Sequence, residues 1–94
     1  MTSANLVENG VTVGHVDFGG TKPWMSMTLA DSPAQGKVDC LVITDDGVTH
    51  WVGSFDARDG YGAWVAPLHV DPATVRSAEV VSPSGTVIAT ATLG

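Results

Sequence analysis

Apolar residues recur at every second position over much of the chain. Met25, Met27 and Leu29 alternate with Trp24, Ser26 and Thr28, and Val87, Ala89, Ala91 and Leu93 alternate with Thr86, Ile88, Thr90 and Thr92. A period of two sends successive side chains to opposite faces of a strand, so both stretches predict half-buried antiparallel strands. Runs rich in β-branched and aromatic residues predict further strands over 11–16, 37–44, 48–55, 61–66 and 77–81. Between them, Asp45-Asp46-Gly47, Asp59-Gly60 and Ser82-Pro83-Ser84-Gly85 carry the residues that tolerate the positive φ of tight turns. Helix signals are confined to Asp71-Pro72-Ala73-Thr74-Val75-Arg76, where an Asp cap precedes Pro, and these predict one turn at most.

No inter-strand segment is long enough for a helical crossover, which excludes a parallel sheet. The pattern therefore predicts an all-β fold, an antiparallel two-layer β-sandwich of about seven strands of the immunoglobulin or fibronectin kind. That domain is expected to span 11–94. The opening MTSANLVENG is polar, has neither a basic start nor an apolar run, and reads as a flexible linker over 1–10 and not as a signal peptide.

Composition narrows the functional classes. Of the 94 residues, 44% are hydrophobic and 15% charged, a balance that favours a folded domain over a disordered one. Ten acidic residues against four Lys and Arg give a net charge of −6, which repels phosphate backbones and anionic lipid and argues against nucleic acid as a partner. No stretch approaches ~18 apolar residues, so no membrane helix is predicted. Cys40 is the single cysteine, and stability must come from packing without an intramolecular disulfide.

Candidate chemistry is sparse. Asp56, Asp59 and Gly60 resemble a fragment of a calcium loop, but about six to eight oxygens are needed and the carboxylate spacing is wrong; a turn with its charges in water is expected. His15, His50 and His69 fall on or beside separate strands without paired metal-ligand spacing. Cys40 shares parity with Val38 and Val42, the pattern of a buried small hydrophobe and not of a nucleophile. Phosphate loops, serine elbows and paired catalytic carboxylates are absent from the sequence. The expectation is a protein that is not an enzyme, with no catalytic, metal or cofactor residues and a binding surface the sequence does not locate. Trp24, Trp51 and Trp64 are expected to plug the core, although the parity Trp51 shares with Phe55 leaves the inward face of that strand open. Two indoles exposed together would instead mark a protein or glycan contact.

Val52-Gly53-Ser54-Phe55, Gly60-Tyr61-Gly62-Ala63-Trp64 and the closing Gly85-Thr86-Val87-Ile88-Ala89-Thr90-Ala91-Thr92-Leu93 form a recognisable succession. Over 24–93 it resembles the carboxy-terminal extracytoplasmic domains of actinobacterial membrane-bound, zinc-type anti-sigma factors. The resemblance implies a sensory or regulatory domain on the outer face of the cell membrane, part of a single-pass protein. Its partners would be a protein or protease on that side. A sigma factor would be reached only through a cytoplasmic domain outside this chain, so no zinc-binding or sigma-contact residue carries over. An immunoglobulin-like interaction module of a cell-surface or secreted protein is the alternative.

Overall fold

A computed structural model describes residues 2–30 and 36–93; Met1 of the expected linker and Gly94 at the end of the expected domain lie outside them. Eight strands are present among the described residues: β1 (Thr2–Glu8), β2 (Val11–Gly19), β3 (Trp24–Leu29), β4 (Gly36–Thr44), β5 (Thr49–Ala57), β6 (Gly62–Pro67), β7 (Val75–Val81) and β8 (Val87–Thr92). The chain is all-β and antiparallel, as its period-two pattern predicts. It departs from the expected sandwich in having one continuous sheet, ordered β5-β4-β7-β8-β1-β2-β3-β6. That sheet curls until its two edge strands, β5 and β6, meet again as a nearly closed barrel.

The expected linker is a strand. Residues Thr2–Glu8 pair with β2 along their length and touch β8 at Val7↔Thr90, and Leu6 is fully buried. Asn9 and Gly10, at φ 49 and 80, make the two-residue turn that returns the chain into Val11 opposite Glu8. Both central residues of such a turn need positive φ, which Asn and Gly tolerate best. Asp59 (φ 54) and Gly60 (φ 84) repeat the arrangement, with Arg58 and Tyr61 exchanging backbone hydrogen bonds of 2.7 and 2.9 Å. Gly47 and Gly85 close the other two predicted turns, donating to the carbonyls of Thr44 and Ser82. Pro72–Thr74 is the single helical turn among the described residues, a 3-10 turn capped by Asp71.

Four register shifts among the described strands bend the sheet. Each inserts one unpaired residue: Val13 in β2, Val52 in β5, Arg76 in β7 and Ile88 in β8. A bulge sharpens the local twist and reverses the facing of the residues beyond it. Val87 is therefore exposed, although Ala89 and Ala91 of the same strand are buried. The interior is filled by Leu6, Val16, Phe18, Met25, Met27, Leu29, Val38, Val42 and Val80, leaving little room for a ligand inside so small a barrel. Cys40 points inward, its Sγ 4.0 Å from Met25 Sδ.

Side chains seal the seam where backbone pairing stops. Among the described residues, β5 pairs only with β4 and β6 only with β3, and beyond the Arg58–Tyr61 bridge no ladder joins the two edges. Phe55 and Trp64 stack across the gap with centroids 6.0 Å apart and planes 16° from parallel. Each ring lies over the glycine of the facing strand. A Cβ on Gly53 would overlap the Trp64 indole, and one on Gly62 would lie 2.8 Å from Phe55 Cε2. Large rings covering edge glycines pin the register that hydrogen bonds do not.

This packing can be tested at both ends of the core. Gly53→Ala should cost about 1–3 kcal/mol by overpacking, and most of that penalty should vanish in a Trp64→Ala background; denaturant unfolding of the two single variants and the double variant measures the coupling, and additive effects would contradict the contact. Burial pushes the Cys40 thiol up to about 12, so it should resist thiol reagents at neutral pH and react once urea unfolds the chain. Because the unfolded thiol ionises first, its contribution to stability holds below the ordinary thiol range and declines as pH rises toward about 12, which Cys40→Ala should abolish in a pH series of melts.

Candidate functional site

The seam is closed at one end and open at the other. From the Asp59-Gly60 turn, β5 and β6 pass the Phe55–Trp64 stack and then separate. Between them lies a notch of about 90 Å³ lined by Val42, His50, Trp51, Val52, Pro67, Leu68, His69 and Val70. Val42 and Leu68 are buried and form part of its wall, while Trp51 stands at the rim with 64% of its surface in solvent. The Leu68 amide donates to the Pro23 carbonyl at 2.9 Å, fixing the segment after β6 to the β2–β3 turn.

The bulge at Val52 sets this arrangement. Trp51 pairs with Leu41, Gly53 with Cys40 and Phe55 with Val38; Cys40 and Val38 face the interior, while Leu41 faces out. Trp51 and Phe55 share sequence parity yet occupy opposite faces. This corrects the expectation that Trp51 plugs the core: it is the most exposed of the three indoles, with a 3.4 Å contact from its Nε1 to Asp39 Oδ1. Trp64 is half-buried in the seam, and Trp24 is half-buried against the β2–β3 turn, its Cδ1 sitting 2.6 Å from where a Cβ on Gly20 would stand.

The histidines do not converge as a group of three. His50 and His69 line the same notch. Behind His50, the Thr44 hydroxyl lies 3.3 Å from Nε2 and donates to Asp46 Oδ1. The Thr44 hydroxyl, the Val48 amide at 3.1 Å and, more weakly, the charge of His50 hold the Asp46 carboxyl below the usual carboxylate range. His15 stands apart on the outer face of β2, with Nε2 3.4 Å from Asp17 Oδ2, and Ser26 Oγ donates to that same oxygen at 3.3 Å. With the acid between imidazole and hydroxyl, the order needed to activate a serine is missing.

Among the described residues no three His, Cys, Asp or Glu side chains gather as metal ligands. Asp56 is exposed on β5 opposite Lys37, and Asp59 with Gly60 forms the turn. The chemistry available at the notch is therefore apolar contact, an indole face and two imidazoles. At about 90 Å³ it is well below the roughly 300 Å³ at which small-molecule sites begin, and smaller than the ~150 Å³ apolar cavity that accepts benzene. Its size suits one aliphatic side chain.

Exposure distinguishes the indoles experimentally. Trp51→Ala should shift stability by less than about 0.5 kcal/mol, whereas Trp64→Ala should cost about 2 kcal/mol or more through loss of the stack and its burial. Acrylamide should quench the wild-type emission mainly through Trp51, and equal quenching of Trp51→Phe and wild type would contradict the assignment. No family model matches the chain, and no curated protein or solved structure shows significant similarity to it.

Proposed function

We propose that this chain is the sensory or regulatory outer domain of a transmembrane anti-sigma factor controlling an extracytoplasmic-function sigma factor, acting through protein contacts or regulated proteolysis and not through catalysis. The observation that carries the contact role is Trp51, a large indole exposed at the rim of a side-chain-sized notch on an otherwise acidic protein. Exposed Trp is costly to leave in water and is enriched where binding energy concentrates. The anti-sigma assignment is supported by the resemblance of 24–93. Gly53, Phe55, Gly62 and Trp64, which carry much of that resemblance, are the residues that shape the seam beside the notch.

No helix among the described residues is long and apolar enough to cross a membrane. In this reading the membrane helix and the sigma-binding domain reside in further sequence, and this domain lies on the extracytoplasmic side. Signal would pass by occupancy of the notch or by protease access to the chain joining it to the membrane.

Deleting residues 1–94 from the full-length protein in its host, with a reporter driven by the cognate sigma factor, tests this. The expected result is sigma output that no longer follows envelope stress, being fixed high or fixed low. Reporter output that still tracks stress after deletion would sink the sensing role and favour the interaction module of a cell-surface protein.

A further inference from the structure

The two edges of the sheet are guarded differently. β6 ends in Pro67, which has no N–H to offer, and Pro on an edge strand is a common block to further pairing. β5 runs Thr49-His50-Trp51-Val52-Gly53-Ser54-Phe55 before its first acid, with neither Pro nor Lys, Arg, Asp or Glu. Its seam-side backbone groups meet no described strand along that run, and the Val52 bulge is its one irregularity. An edge without charges or Pro is a template for another strand. The Phe55–Trp64 stack covers its far half from Gly53 onward, which leaves the stretch 49–52, directly beside the notch.

Charge says what kind of strand fits. Asp39 touches the Trp51 indole from β4, on the other side of β5 from the seam, Asp46 lies behind His50 through Thr44, and Asp71, whose carboxylate caps the 3-10 turn, follows Val70 at the opposite wall. Lys22 is the nearby cation, adjoining Pro23 where the segment after β6 is tied down. A second copy of the chain would bring its own net charge of −6 against these carboxylates, so self-association along this edge is opposed.

We propose that β5 at the mouth of the seam takes up an extended segment of a partner protein by strand addition, with a Val- or Leu-sized side chain in the notch and Lys or Arg on either side of it. Backbone hydrogen bonds to the 49–52 edge supply general affinity. The notch, too small for an aromatic ring, and the acidic charge of the surrounding surface select the sequence. Trp51, whose indole reaches back over β4 to Asp39, adds an exposed apolar surface beside the bound strand. This rests on the contact role proposed above and names the chemistry of its partner.

The test titrates the purified 94-residue chain with a capped nonapeptide of alternating pattern, Leu at its centre and Lys at the flanks, following backbone amides by NMR. Saturable shifts confined to 49–52 and 66–70 are expected. A Glu-for-Lys peptide should bind at least tenfold more weakly, a Phe-centred peptide likewise, and added salt should weaken the Lys peptide. Trp51→Ala, which leaves the fold intact by its exposure, should weaken binding about tenfold; Asp39→Lys provides a second variant with the same direction. Absence of saturation, shifts on another face, equal binding of the Glu peptide, or concentration-dependent dimerisation through β5 would each overturn the proposal. If the peptide fails while deletion of the domain still uncouples the reporter from stress, strand addition is wrong and the sensory function stands. A bound peptide with an indifferent reporter means the reverse: strand addition stands and the sensory function is wrong.

Discussion

The Phe55–Trp64 stack, laid over Gly62 and Gly53, is the contact on which the rest of the barrel depends. Eight strands in one sheet leave two edges, and a small all-β domain must close, cover or guard them. Here the last ladder is replaced by a reciprocal exchange: each edge strand contributes one ring and accepts one ring where its own side chain is a hydrogen. Neither glycine could be replaced without moving an indole or a phenyl, and neither ring could be lost without exposing the interior behind Val38 and Cys40. The closure is local, which is why the two ends of the seam differ.

That asymmetry links fold to function. At the Asp59-Gly60 end the edges are joined by backbone hydrogen bonds; at the other they part around a notch whose wall includes core residues Val42 and Leu68. A ligand there touches the packed interior directly, so occupancy can influence the stability of the whole seam. Bulges at Val13, Val52, Arg76 and Ile88 provide the curvature that brings the edges together. The Val52 bulge has a second effect, turning Trp51 outward at the rim while Phe55 turns inward to the stack.

Much of the fold is legible in the sequence. Period two in Trp24–Leu29 marks Met25, Met27 and Leu29 as inward, and all three are buried; Cys40 is buried with Val38 and Val42 as its parity requires. The three Gly-containing turns and the Asp71 cap are formed by the residues whose backbone preferences point to them. Two features are hidden from alternation alone. Asn9-Gly10 is a strong hairpin signal, but the polar Thr2-Ser3-Ala4-Asn5 before it masks a strand whose outer face is wet and whose inward anchor is chiefly Leu6. Bulges are the second: one inserted residue inverts parity without changing composition, so Trp51 and Val87 read as inward when they face solvent. One sheet or two is also beyond alternation, since strands of a barrel and of a sandwich bury one face alike. The seam glycines are visible within the motifs Gly53-Ser54-Phe55 and Gly62-Ala63-Trp64, yet their pairing across the gap requires the topology.

Side chains hold β5 and β6 together over one half of the seam, and the other half is left unpaired. Native-state amide hydrogen exchange along β5 is the decisive experiment, because an amide bonded to β4 and an amide facing the seam lie on the same strand in the same molecule. Slow exchange is expected for Arg58 and Tyr61 relative to a free turn, with slow exchange over 49–52 at the amides bonded to β4 and fast exchange at those facing the seam. Uniformly slow exchange over 49–52 would mean that another strand already covers this edge, and would contradict both the open seam and the site built on it.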